Sequence, residues 1–208
     1  MSRRLPLAVA LSTGLLCLGC LRSYNVSPLS PASLNKVAVH ESGIELRTKA
    51  FLAPNEVADR FGSKLAEDRQ VIPVQVLVTN KSKDPYRVLR ASFILEEQEK
   101  KVRLEALTPD QMYDIGRHGY GAPVCGIIFG GILGLPSLIT TMNANNKLQM
   151  DYQQKVFVDA IVDPAKDVVG AVLFNPEPAG LTRASKYHLL IEFENVNTKV
   201  KFTLDQAL

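Results

Sequence analysis

VIPVQVLVTNKSKDPYRVLRASFIL, Val71 to Leu95, is the stretch whose reading decides the fold. Val74, Val76 and Val78 fall on one face of its first segment, with Gln75 and Thr79 among the residues of the other. That period of two is the mark of a half-buried strand, because successive side chains point to opposite sides of a sheet. Pro73 has no N–H to give to a ladder, so it predicts an edge or a bulge at the start of this strand. Asn80–Pro85 is a turn, and Tyr86–Leu95 resumes the β pattern.

Working outward towards the amino terminus, Lys36–His40 and Ile44–Phe51 read as strands about a turn at Glu41-Ser42-Gly43. Asn55–Leu65 reads as a short helix, with Asn55 as its cap and Glu56 and Asp59 in its first turns. In the other direction, the charged run Glu96–Lys101 reads as a solvated loop before a short strand at Val102–Leu104. Thr108-Pro109-Asp110 is a helix start: a hydroxyl cap, a proline in first position and an acid near the positive helix end. After a long apolar stretch, Asn143–Phe157 reads as a polar helix and Val158–Asp163 as extended chain. Three closing strands follow at Val168–Phe174, Tyr187–Phe193 and Val200–Leu204, with turns at Asn175–Gly180 and Asn195–Thr198.

The apolar stretch, Gly119–Met142, carries no charge. Gly126, Gly130 and Gly134 form a doubled small-xxx-small pattern, a glycine zipper, which lets a second helix approach closely in lipid. In water each glycine would cost a helix about 1 kcal/mol relative to alanine. Pro136 tends to kink or end a helix, and Val124–Leu135 alone is too short to cross a bilayer. Three readings stay open: a membrane-embedded hairpin or oligomerising segment, a soluble core helix, or a single span. The strands on the two sides are too few to make separate domains and are expected to complete one sandwich. Both ends of the stretch would then lie on the same side of any membrane, which favours the hairpin.

Size and composition narrow the possibilities. At 208 residues one domain with appendages is expected, and a net charge of +3 is too small to imply nucleic acid. The cysteines are Cys17, Cys20 and Cys125. Two lie near the amino terminus, so no internal disulfide framework is expected. His40, His118 and His188 show no metal-ligand spacing.

Met1–Cys20 has the order of a secretory leader: Arg3 and Arg4, then a short apolar core from Leu5 to Leu18, then Leu18-Gly19-Cys20. This resembles the lipobox of bacterial envelope lipoproteins, with Cys17 standing where that pattern usually has leucine. The resemblance implies cleavage before Cys20, a diacylglyceryl thioether on its sulfur and further acylation of its amine, together a stable anchor. With Leu21 and not aspartate after the cysteine, it implies the outer membrane, facing the periplasm. Leu21–Asn35, rich in serine and proline, has tether composition. Val71–Leu95 itself resembles a strand pair of the immunoglobulin-like accessory domains of such lipoproteins, which implies a fold and not an activity.

No catalytic constellation is visible. There is no phosphate loop and no nucleophile elbow. Gly119-Tyr120-Gly121 lacks the third glycine of a dinucleotide site. Cys125 sits in an apolar run, where an inert thiol is the default beside His118. Arg117 and His118 are candidates for lipid head-group contact, with a solvated turn as the simpler reading. Glu96 and Glu97 have no apolar surroundings to perturb them.

The expected fold class is therefore mainly β with inserted helices (α+β), an immunoglobulin-like β-sandwich interrupted by a glycine-rich apolar helical segment. Residues 1–19 are the expected signal peptide, 20–35 the lipidated cysteine and tether, and 36–208 the sandwich, with a helical insertion at about 108–157. The expected function is that of a lipid-anchored, non-enzymatic envelope protein, a binding or assembly module without cofactor or metal. Cys20 meets the lipid, and Gly126, Gly130 and Gly134 serve packing or self-association. The alternative is an envelope enzyme or transport accessory subunit whose site lies on loops.

Overall fold

The structure is a computed structural model that describes residues 26–31, 34–67, 71–117 and 134–208. The chain divides into two compact units. One comprises Asn25–Gly116 and Asp151–Leu208, and contains every strand among the described residues; the other comprises Met1–Tyr24 and Arg117–Met150.

The strands are β1 (Lys36–Val39), β2 (Ile44–Ala50), β3 (Ile72–Asn80), β4 (Tyr86–Glu97), β5 (Arg103–Glu105), β6 (Ala160–Val162), β7 (Asp167–Phe174), β8 (Tyr187–Asn195) and β9 (Lys201–Ala207). The helices are α1 (Pro54–Phe61), α2 (Ser63–Glu67), α3 (Pro109–Gly116) and α4 (Gly134–Lys155), the last running from one unit into the other. The fold is mainly β with a few helices. One antiparallel sheet has the order β1-β2-β3-β7; the second has the order β5-β4-β8-β9, with β6 also paired to β4. Strands from before and after the apolar stretch share both sheets, since β3 pairs with β7 and β4 with both β6 and β8.

The alternation in Val71–Thr79 sets the core. Val74, Val76 and Val78 point inward with Ile44 and Leu46 of β2, and meet Val88, Phe93, Leu95, Leu189, Ile191 and Phe193 from the second sheet in one cluster. Each such side chain contributes about 1.5–3 kcal/mol by leaving water. Strand β4 has two neighbours on one edge, and its register with β8 on the other edge shifts between Val88 and Phe93. Its first part pairs with β6 and its last with β5. Arg90, inside that irregularity, donates its backbone N–H to Asp159 Oδ1 at 2.6 Å. Its guanidinium donates to the carbonyls of Ala106 and Leu107, both at 2.8 Å.

The outer face of the first sheet is also covered. Lys49 projects from that face to Glu56 of α1 at 3.0 Å, and the Phe51 ring meets Phe61 of α1 edge-on at 5.7 Å between centroids. Gln75, Ala171 and Leu173, which alternate with core residues, are buried. Buried Val57, Phe61, Leu65, Met112 and Tyr152 furnish the apolar side of this helix layer.

Several local expectations are corrected. Pro73 does not mark an edge: β3 lies between β2 and β7, and Pro73 stands near its start, where its carbonyl accepts the Phe51 N–H at 2.9 Å. The expected helix at Asn55–Leu65 begins at Pro54, with Ala53 and not Asn55 in the cap position, and breaks at Gly62. Gly62 has φ 94°, a conformation that glycine adopts without the steric cost a side chain brings. The Glu96–Lys101 run is not wholly solvated. Strand β4 continues to Glu97, which is buried and accepts the Lys100 N–H at 2.6 Å. At Thr108 the expected start is realised as a reciprocal cap. The Gln111 N–H donates to Thr108 Oγ1 at 3.2 Å, while the Thr108 N–H donates to Gln111 Oε1 at 2.8 Å.

Candidate functional site

Helix C-termini carry carbonyls without intrahelical donors. In the helix layer, side chains from distant parts of the chain meet them. The Tyr152 hydroxyl donates to the Phe61 carbonyl at 2.9 Å, and Lys155 Nζ donates to the Arg60 carbonyl at 2.6 Å. Both acceptors belong to the last turn of α1. Lys155 is balanced by Asp151 at 2.9 Å and lies 5.7 Å from the centre of the Phe61 ring. Desolvation depresses the Lys155 ammonium below its ordinary value, opposed by the hydrogen bond it donates to Asp151. Burial pushes the Tyr152 phenol well above its ordinary value.

Arg183 does the same for α2. Its guanidinium donates to the carbonyls of Leu65 and Ala66, each at 2.7 Å, and to that of Val71 at 3.0 Å. Only 8% of Arg183 is exposed, and desolvation lowers its affinity for the proton. It lines an open groove of about 1010 Å³ shared with Leu52, Pro54, Lys186 and Leu208.

Residues 26–31 lie on this same layer. The Ser27 N–H donates to the Asp59 carbonyl at 2.7 Å, and Ser27 Oγ donates to Asp59 Oδ1 at 2.9 Å. Arg60 Nη1 donates to the Pro28 carbonyl. Val26, Pro28, Leu29 and Pro31 border a groove of about 330 Å³ with Asp151, Gln154, Lys155, Val169 and Gly170. Leu34 is buried, and its N–H donates to the Pro31 carbonyl at 3.2 Å. The serine- and proline-rich composition predicted a tether through Asn35. The described part, from Val26, is docked because its backbone finds partners on α1.

Among the residues singled out from sequence, Cys20, Gly126 and Gly130 lie outside the described residues, as do His118 and Cys125; Gly134 is the first residue of α4. The two described histidines have separate partners. His40 stacks on Phe202 at 3.9 Å and its Nδ1 accepts the Ser42 N–H at 3.1 Å. His188 lies between Asp205, 2.6 Å away, and Gln98. Glu96 is held below the ordinary carboxylate range by its hydrogen bond from Arg103, 2.8 Å away. Among the described residues no group of three His, Cys, Asp or Glu is placed to hold a metal ion, and no helix is long and apolar enough to cross a membrane. Sequence reading missed Ser27, Asp59, Arg60, Tyr152, Lys155 and Arg183, whose partners are carbonyls or side chains far away along the chain.

No family model matches the chain, and no curated protein matches it. Among solved structures, the crystal structure of the yjhA protein from Bacillus subtilis is similar at 6% identity and a TM-score of 0.42, over 82% of this chain and 95% of that one. At that score the likeness carries no argument about fold or activity.

Proposed function

We propose that this chain is a lipid-anchored, non-enzymatic protein of the bacterial envelope. Cys20 is its acylated amino terminus, held in the outer membrane, and a β-sandwich on the periplasmic side acts as a binding or assembly module. One observation carries this reading: the order Arg3-Arg4, apolar core, Leu18-Gly19-Cys20, with a residue docked on the β-rich unit, Ser27, shortly afterwards. The segment Gly119–Met142 supplies a second membrane or self-association contact through Gly126, Gly130 and Gly134. In support, the strands flanking it share both sheets, so the stretch leaves and re-enters the same unit.

We further infer that the sandwich is immunoglobulin-like. The order β2-β3-β7 against β5-β4-β8-β9 matches strands A-B-E against C′-C-F-G of that fold. Tyr187, the first residue of β8, donates its hydroxyl to the Thr182 carbonyl at 2.6 Å. A tyrosine at the start of strand F bonded to backbone a few residues upstream is a hallmark of such domains. On this reading α3, the apolar stretch and α4 stand between strands C′ and E, where strand D would otherwise run.

Detergent-phase partitioning tests the two membrane contacts separately. Wild type is expected in the detergent phase. Cys20→Ser is expected to lose most of that partitioning, and removal of Tyr120–Thr141 in addition is expected to abolish the rest. Full retention of Cys20→Ser in the detergent phase would show that the anchor is not Cys20.

A further inference from the structure

The docked segment after the leader has a consequence for how the protein meets a bilayer. This inference rests on the lipid-anchor reading of Cys20. Ser27 is the seventh residue after Cys20, and a chain of that length spans at most about 25 Å. Without the docking, the first residue held by a sheet would be Lys36, and the span would grow to about 55 Å. The three bonds at Ser27 and Pro28 all end on the neighbours Asp59 and Arg60 of α1. The attachment point is therefore one place on the helix layer.

We propose that Val26–Pro31 is a clasp that shortens the tether and turns the α1 face of the β-rich unit towards the lipid surface. The geometry on both sides of the clasp supports this. Ser27 uses its backbone N–H and its hydroxyl on the same residue, which fixes direction as well as position. Its partner Asp59 is exposed, so the clasp lies on the outside of the helix layer and not under it. The solvent face of the second sheet, marked by Glu192 and Thr203, lies beyond both sheets from α1. A short leash fixed at α1 holds that far face away from the bilayer. A leash that begins at Lys36 leaves the unit free to present either face.

The test uses full-length protein matured in bacteria and returned to vesicles of phosphatidylethanolamine and phosphatidylglycerol carrying a headgroup acceptor dye. A single donor dye is placed at Asn55→Cys on α1 or at Thr203→Cys on β9, each with Cys125→Ala. Energy transfer from position 55 should exceed that from position 203 at least twofold. Ser27→Pro removes two of the three donors of the clasp, the N–H and the hydroxyl of Ser27, lies outside the sheets, and should bring the ratio close to one. A Gly-Ser insertion of about eight residues after Tyr24 leaves the clasp intact and lengthens the leash to nearly the undocked span, and should lower the ratio as well. Equal transfer from the two positions in wild type would overturn the proposal. So would a ratio that falls with the insertion and not with Ser27→Pro, or one that neither change moves. A mass spectrum without a lipid adduct on Cys20 would overturn the anchor reading itself, and the orientation proposal with it; an adduct with an unchanged ratio would overturn the orientation alone.

Discussion

Replacing Arg183 with methionine removes the group that ends α2. Three charge-assisted hydrogen bonds are lost, two at 2.7 Å and one at 3.0 Å. Hydrogen bonds to charged groups contribute about 1.5–3 kcal/mol each, so the gross loss is about 5–9 kcal/mol. Against this, removing a guanidinium that is 8% exposed recovers its desolvation penalty, several kcal/mol. Methionine refills most of the volume but leaves the carbonyls of Leu65, Ala66 and Val71 without this donor. The expected net destabilisation is about 3 kcal/mol, a large part of the margin of an ordinary domain. Arg183→Lys keeps the charge but loses the planar fork, and should recover less than half of the loss. The chain has no tryptophan, so urea unfolding is best followed by far-ultraviolet circular dichroism in detergent. If methionine shifts the unfolding free energy by under 0.5 kcal/mol, or lysine restores it fully, the carbonyl-capping role is refuted; these limits are set by the size of one such bond.

Three further outcomes are expected. Tyr187→Phe keeps the buried ring and loses the hydroxyl with its 2.6 Å bond to Thr182, so the unfolding free energy should fall by about 1 kcal/mol, and no change would remove the main support for the immunoglobulin-like reading. Gly170→Ala would put a methyl 2.6 Å from Phe157 Cα and 2.8 Å from its nitrogen, both backbone atoms, and should cost about 1–3 kcal/mol in the same assay. Glu45 is held below its ordinary value of 4.5 by its hydrogen bond from Lys81 and then by that from Arg47. Its folded value is the lower one, so its contribution is present above pH 4.5 and is lost as pH falls through the depressed value. Glu45→Gln should therefore cost about 1 kcal/mol at pH 7, a figure reduced because both cations are half exposed, and the gap from wild type should close in acid. A gap that stays constant below pH 4.5 would contradict the assignment.

The strands were legible because their signal is local. Val74, Val76 and Val78 declare an inward face without reference to any partner, and the turns at Gly43 and Asn80–Pro85 bound the segments that pair. The helix start at Thr108 was legible for the same reason, since cap and helix are adjacent in sequence. Placing β3 in the middle of its sheet was not legible, because Pro73 gives the same local signal at an edge and at the start of an interior strand. The helix layer was hidden for a different reason. Arg183 and Leu65 are 118 residues apart, and Lys155 and Arg60 are 95 apart. An arginine that ends a helix elsewhere in the chain looks, in sequence, like an arginine in a loop. Ser27 is similar: among Ser-Pro repeats its composition says tether, and only the position of Asp59 says otherwise. The proposed anchor region is the reverse case, with Leu18-Gly19-Cys20 read from sequence and lying outside the described residues.

The proposed lipid anchor is tested most directly by intact-mass and peptide mass spectrometry of the protein purified from bacterial membranes. The mature chain should begin at Cys20, lack Met1–Gly19, and carry a diacylglyceryl adduct on the cysteine sulfur together with an amide-linked acyl chain. A chain that retains Met1–Gly19, or one that begins at any other residue with a free amine and an unmodified Cys20, would contradict it.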